Sequence, residues 1–415
     1  MQEQAESDTA AKEARVPMRF SQIDTLRGLA VFGILAVNIW SFVWGFGTLR
    51  YGVLPDAATL ADKAAVFSIA FLAEQKFYPI FAFLFGAGFA LQTASLRQKL
   101  SDWSSVRRVY RRRLAALLML GILHGTLIWA GDILTIYGSV GFLIVGMAGA
   151  VRERIGTNLW NWSVVWLALI ACNVAMALTA YTDSDPYTLG ARLMGEARST
   201  HEAYAYGSLP RLMLQRLIDY TAVTLNSLFL VPHVLVLFLL GIYTVRDGWL
   251  TEPQRHASLW RRVCLAGYAV GIPFNLLWAT VVLTEAENPF DADAHGLTVY
   301  SLLPLGGSFL AAAYVATVML AAARGSAPLE RWLAPVGRMA LTNYLTQSVI
   351  GVLLLQGFGL GWGRQVADAP ALVVPLIGFI MLCQVCFCRW WLALHAQGPV
   401  EWLISRYVRR GISRD

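Results

Sequence analysis

Residues 114–151 read LAALLMLGILHGTLIWAGDILTIYGSVGFLIVGMAGAV. Two apolar runs, 114–131 and 133–151, are separated only by Gly131-Asp132. Asp132 is the one acidic residue in the stretch, and His124 its one imidazole. A bilayer core of ~30 Å needs ~20 apolar residues at helical rise, so each run is long enough to cross. Arg107, Arg108, Arg111, Arg112 and Arg113 precede the pair, and Arg152 and Arg154 follow it. Basic residues at both ends of a hairpin that turns at Gly131 place both ends on the same, cytosolic side of a membrane.

The same pattern recurs along the chain. Apolar runs of helical length lie at about 28–47, 77–95, 114–131, 133–151, 160–181, 220–245, 262–284, 298–323, 337–357 and 371–394. The fold class is all-α: a polytopic membrane helical bundle of about ten spanning helices. Composition agrees. Of 415 residues, 57% are hydrophobic and 14% charged, and the mean hydropathy is +0.54; soluble domains carry about 25% charged residues. The net charge of +7 is a topology signal rather than a nucleic-acid footprint. With ten spans and a cytosolic start, 25 of the 33 Lys and Arg fall on the inner side, as the positive-inside rule requires. That arrangement predicts a multi-pass protein of a bacterial inner membrane with both termini cytoplasmic. Residues 1–20 read as a cytosolic tail rather than a cleavable signal, and 21–410 as one membrane-embedded domain.

Two outer loops are long: 182–218, with Asp183-Ser184-Asp185-Pro186 and then an amphipathic stretch through Leu209–Leu217, and 285–297, with Glu285, Glu287, Asp291 and Asp293. Residues 59–76 read as an amphipathic or re-entrant helix. The five cysteines lie in or beside apolar segments and read as small buried hydrophobes, not as a disulfide framework or metal site. The glycine-rich run 357–363 follows a membrane helix and reads as a turn. Neither His/Cys metal spacing nor a nucleotide-binding loop is present, so no metal and no tightly bound cofactor are expected.

Polar groups inside spans are the functional candidates, because burying them unpaired in hydrocarbon costs free energy. Asp24 and Arg27 are spaced to pair on one helix face, with Asn38 about three turns on. Lys76 follows Glu74-Gln75 at the edge of the second span and reads either as a snorkelling side chain or as a cavity residue. His124 sits near mid-span. It must face the bundle interior or a wet cavity, and an imidazole is a common general base near neutral pH. Asp132, at the start of the next helix, reads as an ordinary cap or as the partner that orients His124. His233 follows Pro232 inside the sixth span. Arg338, Asn343 and Gln347 form a stripe that is either interhelical glue or a polar cavity wall.

Taken together, Asp24-Thr25-Leu26-Arg27-Gly28, Leu84-Phe85-Gly86-Ala87-Gly88, His124-Gly125, Gly131-Asp132-Ile133-Leu134, Gly337-Arg338-Met339-Ala340-Leu341-Thr342-Asn343-Tyr344 and Gly398-Pro399-Val400-Glu401-Trp402 resemble the YeiB-like family. These are bacterial inner-membrane proteins carrying a domain of unknown function, with its signature region at about 230–405. The resemblance extends, more distantly, to the transmembrane acyltransferases. It implies acyl-CoA as donor substrate, held by Arg27, Arg338 and Arg113; His124 and Asp132 as catalytic pair; and Asn38, Lys76, His233, Asn343 and Gln347 around the substrate cavity. The acceptor would be a glycan or lipid at the outer face. One branch of those enzymes carries its catalytic histidine in the loop after the first span, whereas this chain has no His between residues 28 and 123. Other expected partners are the bilayer and further copies of the chain, but no nucleic acid. A transporter of a small polar or anionic solute, and a non-catalytic scaffold, remain alternative readings.

Overall fold

The structure is a computed structural model that describes residues 20–47, 49, 51–100, 102–183, 186–291, 294–325 and 329–409. The tail up to residue 19, and Ser184, Asp185 and Asp293 in the outer loops, lie outside the described residues. Among those described, all regular elements are helical: α1 Ser21–Trp44, α2 Leu60–Leu72, α3 Phe77–Arg97, α4 Trp103–Leu127, α5 Leu134–Ile144, α6 Arg152–Asp183, α7 Pro186–Tyr206, α8 Leu209–Asn226, α9 Val231–Arg246, α10 Ala257–Glu287, α11 Ala294–Ala323, α12 Glu330–Arg338, α13 Ala340–Leu355, α14 Gly363–Asp368, α15 Val373–Leu394 and α16 Pro399–Arg409.

Among the described residues, seven stretches are long and apolar enough to cross a membrane: Ser21–Trp44, Leu60–Arg97, Arg152–Thr179, Leu209–Arg246, Ala257–Glu287, His295–Ala323 and Pro370–Leu394. Leu134–Met147 and Ala340–Leu355 are shorter apolar helices, and α4 carries five arginines on its first turns. The chain is thus an all-α polytopic membrane protein, with a helix at each of the ten expected runs. Burial separates centre from rim. The span window of α1 is 72% buried and that of α6 only 11%. A helix apolar all round is central when buried. On α6, apolar side chains such as Val164, Val165 and Leu167 remain exposed, which suits a face turned to lipid.

Helix α1 packs against α3, α12, α13 and α7. Its crossing with α12 is set by glycine. A Cβ on Gly28 would collide with the Leu333 backbone, and one on Gly337 with the Asp24 carbonyl. Small residues permit such backbone approach, and here they draw Arg27 and Arg338 to the same place.

Three expectations change in detail. The loop 182–218 is mostly helix, α7 and α8, because after Asp185 the run to Tyr206 contains good helix formers and no proline beyond Pro186. The run 337–357 breaks at Met339 between α12 and α13. The helix expected within 59–76 covers Leu60–Leu72 only, opened by a Thr59–Asp62 capping box, and Gln75 (φ 60) turns the chain into α3.

Contacts between loops define two ends of the bundle. At one, Arg107 Nη2 donates to Ala148 O at 3.1 Å, Arg152 pairs with Asp247 at 2.9 Å, and Gln22 Nε2 donates to Leu250 O at 3.0 Å. At the other, Lys63 pairs with Glu287 at 2.6 Å, and Gly357 N donates to Tyr204 O at 2.8 Å. The first is the basic end.

Candidate functional site

Helix α4 runs from the basic end, where Arg113 lies, to the opposite end at Leu127. Eleven residues separate Arg113 from His124, or ~16 Å at helical rise. His124 is 1% exposed. Its Nδ1 lies 2.9 Å from Asp132 Oδ1. The other Asp132 oxygen accepts from Thr135 N at 2.6 Å and Thr135 Oγ1 at 2.7 Å. One carboxylate therefore caps the start of α5 and holds the imidazole, so both readings of Asp132 describe the same group. The arrangement depends on Gly121, where a Cβ would meet Thr135 N at 2.5 Å and Asp132 Oδ2 at 2.7 Å. With Asp132 as acceptor, Nδ1 carries the proton, and in a neutral imidazole Nε2 is then the nitrogen with the free lone pair. Nε2 is buried and has no hydrogen-bond partner among the described residues. The Tyr344 ring packs 5.2 Å from the imidazole. Its hydroxyl donates to Gly131 O and accepts from Ile133 N, both at 3.2 Å, and so fixes the α4–α5 turn. An imidazole oriented by a third group, with its other nitrogen unbonded, has the geometry of a general base.

At the basic end a cavity of about 210 Å³ opens between α1, α3, α4, α5, α12, α13 and α16. Arg27, Arg113 and Arg338 all line it, with Tyr110, Gln92 and Glu401. These residues are far apart in sequence, and the close α1–α12 crossing is what gathers two of the three arginines. Arg27 pairs with Asp24 at 2.8 Å. The Nε of Arg113 is buried without a partner among the described residues, and Arg338 Nη2 donates to Ala396 O at 3.4 Å. Glu401 is already engaged: its Oε1 accepts from Leu341 N at 2.8 Å and Thr342 N at 3.1 Å, and its Oε2 from Thr342 Oγ1 at 2.6 Å. It serves as an N-terminal cap for α13 supplied from another helix, so three guanidiniums and one engaged carboxylate line the cavity. Guanidinium groups hold phosphate or carboxylate bidentately, so this cavity suits an anion.

His124 is not in the wall of that cavity. Leu134 and Leu341 are, and on the same two segments, within three residues, Asp132 and Tyr344 touch the imidazole.

The remaining candidates lie elsewhere. Asn343 Nδ2 donates to Val336 O at 3.0 Å and Cys388 Sγ at 3.1 Å, and Gln347 Nε2 to Gln384 Oε1 at 2.8 Å. Both tie α13 to its neighbours α12 and α15, the glue reading of that stripe. Lys76 is fully buried rather than snorkelling; its Nζ donates to Ala70 O at 2.8 Å, a carbonyl freed where α2 ends. His233 uses both ring nitrogens, with Tyr78 Oη at 2.8 Å and Ser308 Oγ at 3.0 Å, and stacks on Trp166. It borders a second, apolar cavity of about 270 Å³ between α3, α9, α10 and α11. Asn38 is half-buried on α1, outside the arginine cavity. Gln92, Tyr110 and Tyr344 are site residues that nothing in the sequence singles out. Gln92 follows an apolar run with nothing to mark it, and the two tyrosines carry no spacing signal.

Residues 244–410 match the family described as "Protein of unknown function (DUF418)". The "Uncharacterized protein YxaH" of Bacillus subtilis (strain 168) is 30% identical over 401 residues, covering 93% of each chain. The "Uncharacterized protein YeiB" of Escherichia coli (strain K12) is 29% identical over 414 residues, 94% of this chain and 96% of the relative. An "Uncharacterized 39.9 kDa protein in amylase 3'region" of Bacillus acidopullulyticus is 26% identical over 395 residues, 93% of this chain and 92% of its own. The three relatives match through nearly the whole chain, and on them, with the family match over 244–410, this polytopic membrane protein belongs to the YeiB-like, DUF418 family.

Proposed function

We propose that the protein is a membrane acyltransferase that takes an acyl group from acyl-CoA on the cytosolic side and passes it to a hydroxyl or amine near the opposite face. The observation that carries this reading is the gathering of Arg27, Arg113 and Arg338 on one cavity, whose wall includes Leu134 and Leu341 on the same segments as Asp132 and Tyr344 of the His124 environment. The arginines hold the phosphates of the donor. His124 Nε2 takes the proton of the acceptor hydroxyl as its oxygen bonds to the thioester carbonyl carbon. The C–S bond then breaks, and the imidazolium returns the proton to the leaving thiolate, giving an ester and free CoA. Asp132 holds the imidazole and balances the imidazolium charge. For this, Leu134 and Leu341 must part to admit the thioester arm. The basic end faces the cytosol of a bacterial inner membrane by the positive-inside rule, with both termini on that side.

The test uses the purified protein in proteoliposomes with radiolabelled acetyl-CoA. Donor binding should fall in the Arg27→Gln/Arg338→Gln variant, and label should reach a lipid or glycan fraction only when His124 is intact. Unchanged transfer by His124→Ala removes the mechanism. A transport reading has one observation in its favour: the interruption between α2 and α3 at Gln75, beside buried Glu74 and Lys76, since broken helices form solute sites in transporters. Solute uptake into vesicles without any acyl-CoA would select it.

A further inference from the structure

Arg216 on α8 is 3% exposed, yet it makes no ion pair among the described residues. Asp219 is one turn away on the same helix, but its oxygens accept from Tyr204 Oη at 2.5 Å and Gln215 Nε2 at 2.8 Å. Arg216 instead donates from Nη1 to Leu127 O and Met213 Sδ, and from Nη2 to Gln356 Oε1 at 3.0 Å. All its acceptors are neutral. Its Nε is buried without a partner, and so is Nε2 of Gln356, which is itself 0% exposed. Trp129, two residues beyond Leu127 and 1% exposed, has an unpartnered Nε1. Two buried donor atoms, on Arg216 and on the Gln356 it bonds, therefore remain unsatisfied, with a third on Trp129 in the adjoining turn, and no carboxylate bonds the guanidinium directly among the described residues. Buried donors are almost always bonded, and a buried charge without a partner is strongly unfavourable.

Position gives these donors a meaning. Leu127 is three residues after His124, and Trp129 N donates to His124 O at 2.9 Å. The Trp129 ring lies 6.3 Å from the imidazole. Arg216 is thus anchored to the turn that leaves the dyad, at the end of α4 away from Arg113. Fourteen residues, or ~21 Å of helix, separate Arg113 from Leu127. We propose that Arg216, Gln356 and Trp129 form a second anion site, opposite the three-arginine cavity, for a phosphate or carboxylate borne by the acceptor. That the anion belongs to the acceptor rests on the acyl-transfer reading; that an anion binds there does not. The acceptor class this implies is an anionic lipid headgroup or a soluble anionic glycan, whose charged group docks on Arg216 and leaves its nucleophile toward His124.

The experiment measures thermal stabilisation of the purified protein carrying Arg27→Gln and Arg338→Gln, which weakens the inner cavity for anions. One arm uses phosphatidylcholine nanodiscs titrated with inorganic phosphate; another uses nanodiscs containing phosphatidylglycerol without added phosphate. A saturable response is expected in at least one arm, weakened about tenfold or more by Arg216→Gln, as loss of a charged hydrogen bond implies. The responding arm identifies the source as soluble or lipid. A second variant covers the case that Arg216→Gln fails to fold. Gln356→Glu places a carboxylate where Oε1 already meets Nη2, so it should raise the melting temperature without any ligand and abolish the response. No response in either arm, a response indifferent to Arg216→Gln, or a Gln356→Glu protein less stable than its parent would overturn the site. Because the readout is binding, the site stands or falls separately from acyl transfer.

Discussion

Replacing Asp132 by Asn probes the centre of the structure with a change of almost no volume. The carboxylate accepts three hydrogen bonds, from His124 Nδ1, Thr135 N and Thr135 Oγ1, at 2.9, 2.6 and 2.7 Å. An amide has one acceptor oxygen, and Thr135 is the natural claimant because its backbone N–H opens α5. The amide nitrogen then faces His124 Nδ1 as a donor, so the imidazole must shift its proton to Nε2. Two effects follow. The loss of a charge-assisted bond at a buried site costs about 1.5–3 kcal/mol, visible as a lower melting temperature in detergent. The tautomer reverses, leaving Nε2 unable to accept a proton. In a serine-protease triad the equivalent exchange lowers turnover about 10⁴-fold, and a loss of about 10³–10⁴ is expected here. Nitrogen NMR of histidine-labelled protein reads the tautomer directly, independent of any acceptor. If Asp132→Asn keeps the proton on Nδ1 and the stability within about 0.5 kcal/mol, the carboxylate does not orient His124 and the argument for a poised base is wrong.

Other consequences are simpler to measure. Gly337→Ala should destabilise by about 1–3 kcal/mol, because overlap with the Asp24 carbonyl outweighs alanine's helix preference of about 1 kcal/mol; denaturant unfolding and acyl-CoA binding should fall together. Glu401→Ala removes the cap of α13 and should cost about 1–2 kcal/mol, whereas Glu401→Gln keeps an acceptor and should cost less. At the basic end, Arg152 holds the Asp247 carboxyl below its ordinary value. A depressed folded-state value stabilises above the unfolded value and is lost as pH falls. The melting-temperature gap between the native protein and Asp247→Asn should therefore be full at neutral pH and close below about pH 4; a constant gap down to pH 3 would show that the pair does not act.

The fold class was legible because membrane helices are written in composition. A run such as 114–151 has one acceptable environment, and the arginines on either side leave little choice about which way it turns. His124, Asp132, Arg27 and Arg338 also stood out in the sequence, since ionisable groups within or beside apolar spans are conspicuous by cost alone. What they touch was not legible. Asn343 and Gln347 look as suited to a cavity as Arg338 does, and only the packing of α13 on α15 turns them toward Cys388 and Gln384. Lys76 reads as an edge residue until the end of α2 offers it the Ala70 carbonyl. Arg216 reads as one more loop arginine until α8 folds over the α4–α5 turn and buries it. Local sequence determines which segments leave water, because transfer free energy adds residue by residue. Which polar groups meet inside depends on helix crossings such as that of Gly28 with Gly337, and those are decided by contacts between residues some three hundred positions apart.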